Sequence, residues 1–314
     1  MTSMKKILSL ATAATLFLAG CGAATLEGEN ATLDEVVEKD PSELVVGVSI
    51  STLNNPFFVS LDQGISELAE ENGTTVKSVD AQNDTAKQTN DVDDLIQQGV
   101  DILLINPVDS SAITPAVESA NASGIPVITI DRSSEGGQVV TLVASDNVVG
   151  GEMAAEYIKE ISGADAATVQ LEGTPGASAT RERGKGFTNV AEESLNVIDS
   201  QTANFDRAEG LTVMENMLQA NPDIKAVFAQ NDEMALGAIE AIQAAGLTEE
   251  IQVVGFDGTE DGIKAVEAGT LSATVAQKPE EMGKLAMQAA IDYFAGETLE
   301  EYIASPLELV TKEE

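Results

Sequence analysis

Short apolar runs alternate with amphipathic segments along the chain from Leu44 onward. Residues 44–50 form an apolar run interrupted only by Gly and Ser, which is typical of a strand buried on both faces. Asn55 then precedes Pro56, an order that predicts a helix N-cap followed by Pro at the first helical position. Because apolar residues recur at helical spacing over 61–69, the pattern predicts a strand followed by a helix.

The same alternation continues through most of the chain. Further strands are predicted at 76–79, 102–105, 125–130, 139–144, 168–171, 197–198, 226–229, 251–256 and 271–276. Helices are predicted between most of these strands, and the last one covers about 279–295. Alternating strands and helices predict parallel sheets covered on both faces, and the two successive series of elements predict two α/β domains.

Polar and aromatic side chains follow the predicted strands, at the edge where open parallel sheets bind ligands. In the second half, Arg181 and Arg183 come after a Gly-rich turn at 173–176. The other residues at or just after strand ends are Asn54, Asn55, Phe57, Phe58, Asn106, Asp131, Arg132, Phe205, Asp206, Asn231, Asp232, Phe256, Asp257 and Gln277. Each of these types is common in turns or at surfaces, so the prediction of a site depends on their joint pattern.

Aromatic residues are scarce, at 4% of the chain with no Trp, and four of the eight Phe residues are at these strand ends. Phe187, Phe228 and Phe294 lie at positions predicted to be in the core. Carboxylates, guanidinium groups and carboxamides beside aromatic faces suit a polyhydroxylated ligand. Each sugar hydroxyl donates one hydrogen bond and accepts two, and a Phe face covers the apolar C–H surface of a sugar ring.

The first residues have the pattern of a lipoprotein signal. Lys5 and Lys6 precede the apolar residues 7–18, a stretch too short to cross a bilayer as a helix. Residues 18–21 read Leu-Ala-Gly-Cys, and this resembles a bacterial lipobox that ends in the only Cys of the chain. We expect cleavage before Cys21 and lipidation of that residue; an ordinary signal peptide is the alternative. The start of translation is at Met1 or Met4.

The segment after Cys21 lacks a sustained apolar period. It contains several acids among small and polar residues, so we interpret it as a tether between the lipid and the folded body. A short helix over 32–39 is the alternative.

Charge and composition exclude several classes of protein. The chain has 16 Lys and Arg against 53 Asp and Glu, a net charge of −37, and no His. Nucleic-acid binding needs a basic surface, and His is the commonest general base and metal ligand. The single Cys excludes a disulfide framework. We therefore expect no nucleic-acid partner, no metal and no cofactor.

Seven motifs resemble the family of bacterial D-ribose-binding proteins of ABC importers. They are STLNNPFF at 51–58, LINP at 104–107, IDR at 130–132, ASDN at 144–147, RERG at 181–184, AQNDEMALG at 229–237 and VGFDG at 254–258. The resemblance runs from about Leu44 to Lys312. It implies an α/β type I periplasmic-binding-protein fold, with two Rossmann-like lobes of parallel sheets, a hinge of three crossover strands and a cleft between the lobes.

The resemblance also implies the ligand contacts. They would be Asn55, Phe57, Phe58, Asn106, Asp131, Arg132, Arg183, Phe205, Asn231, Phe256, Asp257 and Gln277. Phe58 and Phe205 would sandwich the sugar ring, one from each lobe. No substitution occurs at these positions; the lipobox, the acidic tether and the acidic surface are the departures.

The domain boundaries follow from the same resemblance. We predict a signal peptide over 1–20 and a lipidated tether over 21–42. The N-lobe would comprise 43–145 with 278–305, and the C-lobe 146–277 with 306–314.

The expected function is that of an extracytoplasmic lipoprotein that captures ribose and delivers it to a membrane permease. The permease would work with a separate ATPase subunit, so this chain is not expected to be an enzyme. The membrane is contacted only through the lipid anchor on the outer face of the cell membrane, in the periplasm if the source is Gram-negative. A chemoreceptor is a further candidate partner, and we expect a monomer.

Three alternatives remain open at this point. The same fold could bind another small neutral sugar, such as allulose or another pentose, or autoinducer-2. The effector domain of a sugar-responsive repressor shares the fold, but it needs a DNA-binding unit where this chain has a lipobox. Asp131 and Asp257 could form a glycosidase pair, but a neighbouring Arg at each is expected to keep both ionised and to oppose a general acid.

The lipobox generates a direct test. Substituting Cys21→Ala removes the only thiol that lipid could modify, so the variant should leave the membrane fraction for the soluble or secreted fraction. Cell fractionation followed by immunoblotting measures this. A Cys21→Ala variant that stays with the membrane would show that the anchor assignment is wrong.

Overall fold

The computed structural model describes residues 37–312, and these form two six-stranded sheets. The first sheet has the order β11-β5-β4-β3-β1-β2, and all its neighbouring strands are parallel. Its strands, numbered in chain order, are β1 Val45–Ile50, β2 Thr75–Asp80, β3 Ile102–Ile105, β4 Val127–Ile130, β5 Thr141–Ser145 and β11 Tyr302–Ser305. Its helices are α1 Pro56–Asn72, α2 Thr85–Gln97, α3 Thr114–Ala122 and α9 Pro279–Phe294. We call this unit the first lobe.

The second sheet has the order β12-β10-β9-β8-β6-β7. Its strands are β6 Ala167–Glu172, β7 Asn196–Thr202, β8 Ala226–Ala229, β9 Gln252–Asp257, β10 Ala273–Ala276 and β12 Glu308–Thr311. Only β12 runs antiparallel to its neighbour. The helices are α4 Asn147–Ser162, α5 Ser178–Ser194, α6 Arg207–Ala220, α7 Asp232–Ala244 and α8 Glu260–Ala268. We call this unit the second lobe.

The chain passes between the lobes three times: after β5, between β10 and α9, and between β11 and β12. The predicted two-lobe α/β fold with a three-strand hinge is therefore confirmed. The residue boundaries of the lobes stay predictions, and the predicted signal peptide and most of the predicted tether lie outside the described residues. The alternative prediction of a helix over 32–39 is wrong for residues 37–39, the part of it that the structure describes, because these residues are not helical.

Each sheet is buried on both faces, which explains the continuous apolar runs. In β3, Ile102 and Leu104 pack in the cluster formed with α1 and α9. Leu103 and Ile105 point to the opposite face and pack in the cluster formed with α2 and α3. Because successive side chains of a strand alternate between faces, such a strand needs an apolar residue at every position.

The predicted helix start at Asn55 and the three predicted core Phe residues are confirmed. The Asn55 side chain accepts a hydrogen bond from the Phe57 N–H at 2.9 Å and caps α1. The rings of Phe187 and Phe228 stack with centroids 4.8 Å apart, and Phe294 is buried in the first lobe. Sequence analysis missed β11 and β12, which are short and only partly buried and therefore lack a continuous apolar run.

Candidate ligand-binding site

A small cavity lies between the lobes, at the carboxyl ends of the strands of both sheets. Its volume is about 10 Å³. Nine of the twelve predicted contact residues line it, together with Ala179, which sequence analysis missed. They are Asn55, Phe57, Phe58, Asp131 and Arg132 from the first lobe, and Arg183, Phe205, Asn231 and Asp257 from the second. The site is therefore assembled from both lobes.

The other three predicted residues lie behind the lining rather than in it. Asn106 Nδ2 is 3.4 Å from Asp131 Oδ2. Gln277 Nε2 donates to Asp257 Oδ1 at 2.9 Å. The ring of Phe256 lies under a guanidinium of the lining, as described below. All three contact side chains of the cavity wall, so the structure places them as supports of that wall.

Three of the lining residues have a left-handed backbone conformation. The φ angles are 64° at Asp131, 61° at Phe205 and 113° at Asp257. Non-glycine residues adopt this region rarely because Cβ crowds the backbone, and such strain occurs where a side chain is held in a special position. Gly173 makes room for one of them, since a Cβ there would lie 2.0 Å from the Phe205 ring. The fold therefore accepts local strain to direct these side chains.

Two arginines form the polar centre of the site. The Arg183 guanidinium lies 3.8 Å from the Phe256 ring centroid, and its Nε donates to Asn147 Oδ1 at 2.9 Å. Its NH1 donates to the Gln230 carbonyl at 2.6 Å and to Asp257 Oδ1 at 3.3 Å. Asn147 is a residue that sequence analysis missed, although it lies in the quoted ASDN motif. These contacts fix the orientation of the Arg183 fork.

Arg132 lies between aromatic rings of the two lobes. Its guanidinium is 5.1 Å from the Phe58 ring centroid and 5.4 Å from that of Phe205. NH1 donates to the Pro107 carbonyl at 3.0 Å, and Nε is 3.5 Å from Asp131 Oδ2. In this arrangement the two rings that the resemblance assigns to a sugar face Arg132, and their sandwiching of a sugar stays a prediction.

The expectation that the neighbouring arginines prevent a raised pKa at these two Asp residues is wrong. Burial raises the pKa of Asp257 to about 8, although Arg183 acts in the opposite direction. Burial also raises the pKa of Asp131, against Arg132, Arg183 and the hydrogen bond from Asn106. The cause is that both carboxyls are almost completely removed from water, which penalises the charged form more than a nearby cation favours it.

Three polar atoms near the cavity are buried without a hydrogen-bond partner in the described chain. They are Asp131 Oδ1, Arg132 Nε and Gln277 Oε1. Buried polar groups are normally paired because leaving one unpaired costs about 1–3 kcal/mol. A polar ligand that both donates and accepts hydrogen bonds would complete this set.

A larger groove lies elsewhere, between α5 and the edge strand β7. Its volume is about 710 Å³, and all its lining residues belong to the second lobe. It contains none of the predicted contact residues. The smaller cavity is the better candidate for the ligand site, because buried ionisable groups and aromatic rings from both lobes converge there and not in this groove.

These features define a two-lobed solute-binding protein. The family model for the periplasmic binding protein domain matches residues 46–298, and the chain belongs to this family. It is a family of solute-binding proteins and not of enzymes. The helices of residues 37–312 lack the length and apolar character that crossing a membrane requires.

Two curated relatives have high identity over most of their length. The chain is 61% identical over 270 residues to the "Ribose import binding protein RbsB" of Bacillus subtilis (strain 168), which covers 86% of this chain and 88% of the relative. It is 49% identical over 269 residues to the protein of the same name from Escherichia coli (strain K12), and the match covers 85% of this chain and 90% of that relative.

Solved structures share the fold. A Caulobacter myo-inositol binding protein bound to myo-inositol has a TM-score of 0.82 and 32% identity, covering 88% of this chain and 95% of that one. A periplasmic solute-binding protein from Actinobacillus succinogenes 130z with bound D-allose has a TM-score of 0.80 and 29% identity, and the match covers 86% of this chain and 98% of that one.

The raised pKa of Asp257 predicts a pH-dependent stability. A carboxyl whose folded-state pKa is above its unfolded value of 3.8 contributes stability at low pH, and that stability is lost as the pH rises towards about 8. The loss is at most about 1.4 kcal/mol per pH unit for one proton. Asp257→Asn abolishes this ionisation, so its melting temperature relative to the parent should increase between pH 5 and pH 8.

Thermal unfolding without sugar measures this difference. The control Glu240→Gln removes an exposed carboxylate from α7 and should leave the pH profile of the parent unchanged. If Asp257→Asn and its parent kept a constant difference in melting temperature from pH 5 to pH 8, burial would not govern this carboxyl.

Proposed function

We propose that this protein is an extracytoplasmic solute-binding lipoprotein that captures D-ribose between its two lobes and delivers it to an ABC transporter permease. The observation that carries the proposal is the cavity itself, because nine residues that the resemblance assigns to ribose line it from both lobes. The high identity to two proteins named ribose import binding protein supports the same ligand.

The side chains of the cavity match the chemistry of a small polyol. Asp131 and Asp257 accept hydrogen bonds when ionised and Arg183 donates them in a fixed fork, so both functions of a sugar hydroxyl have partners. Sugar hydroxyls that donate to the carboxylates would also favour their ionised form and lower the pKa that burial raises. The Phe58 and Phe205 faces provide apolar cover for the C–H surface of the ring.

The charge of the site favours a neutral ligand. When sugar hydroxyls keep both carboxyls ionised, each arginine of the lining has a carboxylate beside it, so an anionic sugar would find no unpaired cation there. The net charge of −37 adds a long-range repulsion of anions. A phosphorylated pentose should therefore bind far more weakly than the free sugar.

Another small neutral sugar or autoinducer-2 is the alternative ligand. Related structures hold D-allose and myo-inositol in the same fold, and these two share 29% and 32% of their sequence with this chain. The ribose-named relatives are more similar, at 61% and 49%. We therefore prefer ribose.

The partners and location follow from this function. The closed protein would present ribose to a membrane permease that works with a separate ATPase subunit, and a chemoreceptor is a second candidate receiver. Lipidation of Cys21 would hold the protein, as a monomer, at the outer face of the membrane. Membership of the periplasmic binding protein family places its work outside the cytoplasm.

Arg183 provides the sharpest test of the site. It is only 3% exposed, and it would donate to sugar oxygens from the second lobe. Arg183→Ala removes one partner of a buried charged network, a change that costs about 2–5 kcal/mol, so the Kd for ribose should increase about 30- to several-thousand-fold. Titration calorimetry with ribose measures it, alongside D-allose and myo-inositol.

Lys185→Ala is the matched control because Lys185 is an exposed cation on the same helix, two residues after Arg183. It should change the affinity little, since exposed substitutions away from a site usually change the free energy by no more than about 0.5 kcal/mol. Near-native affinity of a folded Arg183→Ala variant would refute the site assignment. Tenfold tighter binding of D-allose or myo-inositol than of ribose would favour the alternative ligand.

A further inference from the structure

The lobes touch each other at a second place, beside the cavity. The Ser110 N–H donates to the Gly176 carbonyl at 3.0 Å. The Ser178 N–H donates to Ser110 Oγ at 3.2 Å, and the Ser133 N–H donates to Ser178 Oγ at 3.0 Å. Ser110 and Ser133 belong to the first lobe, and Gly176 and Ser178 belong to the second. We call these four residues the clasp.

The clasp supplies a cap that α5 lacks. The N-cap position of α5 is Ala177, which has no side-chain group that could accept from the first N–H groups. Ser110 Oγ, from the other lobe, accepts from the first N–H of the helix instead. Since the same helix carries Ala179 and Arg183 into the cavity, contact with the first lobe stabilises the helix that holds them.

At Gly176 the second lobe lies directly against the first. A Cβ at this position would lie 1.7 Å from Asp109 Oδ2, and the nearest contacts would all be to Asp109. Asp109 is itself fixed, because its Oδ1 accepts from the N–H groups of Ser111 and Ala112, both at 2.8 Å. Gly176 has no positive φ, so Ala fits the backbone of the second lobe and conflicts only with the first.

We infer that the clasp is a set of positioning residues outside the sugar cavity that stabilises the closed arrangement of the lobes and thereby sets the affinity for sugar. This inference rests on the proposed function. It assigns an effect on sugar affinity to residues that do not line the sugar cavity. If only the closed form binds the ligand, the apparent Kd equals the intrinsic Kd divided by the fraction of molecules that are in the closed form. A residue that changes only this fraction changes affinity without touching sugar.

Gly176→Ala is the primary test. The extra methyl group should oppose closure, so the Kd for ribose should increase about 5- to 150-fold and ribose should dissociate faster. The melting temperature without sugar should stay that of the parent, because the conflict exists only between the lobes. Calorimetry, stopped-flow dissociation and thermal unfolding measure the three quantities.

A second substitution makes the test specific. Asp109→Ala removes the oxygen that the new methyl group would meet, and the remaining Cβ would lie 3.1 Å away. The double variant Gly176→Ala, Asp109→Ala should therefore bind ribose more tightly than Gly176→Ala alone. A folding defect at position 176 would not be rescued by a change in the other lobe.

The serine contacts are tested separately. Ser110→Ala removes the hydroxyl of the first lobe that accepts from the first N–H of α5. The Kd for ribose should rise about 2- to 12-fold, which corresponds to the loss of one ordinary hydrogen bond. Ser111→Ala, the exposed neighbour, is the control and should leave the Kd unchanged.

The outcomes separate this inference from the proposed function. If the parent binds ribose and both Gly176→Ala and Ser110→Ala bind it with the parent's affinity and dissociation rate, the clasp does not control closure. A parent that prefers another neutral sugar overturns the ribose assignment, and the same variants are then compared with that sugar. A parent that binds no sugar overturns both claims.

Discussion

Four ionisable side chains are buried where the carboxyl ends of the two sheets meet, and the rest of the structure depends on keeping them there. Asp131 and Arg132 come from the first lobe, and Arg183 and Asp257 come from the second; each is less than 5% exposed. Taking such groups out of water is costly unless each one is paired and hydrogen-bonded. The residues around these groups come from both lobes, so both lobes contribute to the burial.

The fold meets this requirement through parallel strands. Because β4 and β9 end at the same edge of their sheets as their neighbours, Asp131 and Asp257 reach the space between the lobes directly from strand ends. The left-handed backbone at both residues is the local cost. Behind them Asn106 and Gln277 supply hydrogen bonds, so the support extends one layer into each lobe.

Sequence reasoning predicted most of this arrangement, for a physical reason. Buried parallel strands need continuous apolar runs, and residues 102–105 and 226–229 match β3 and β8 as predicted. The strand-end residues were found because the carboxyl edge of a parallel sheet is a fixed place in such a fold. Strands β11 and β12 were missed because they are partly exposed, which removes the apolar signal.

Other features depend on three-dimensional contacts that the sequence does not display. The raised pKa values of Asp131 and Asp257 follow from the degree of burial, and the sequence shows only the neighbouring arginines. Gly176 and Ser110 look like ordinary turn residues until the two lobes are brought together. Asn147 and Arg183 are 36 residues apart in the chain, and only the structure shows the 2.9 Å hydrogen bond between them.

The central claim is that the two lobes close on a neutral sugar, and small-angle X-ray scattering tests it most directly. The radius of gyration of the parent should fall when ribose is added to the saturation shown by calorimetry, because the ligand groups are divided between the lobes. Ribose-5-phosphate at the same concentration should leave the curve of the sugar-free protein unchanged. An unchanged curve at saturating ribose would contradict the account.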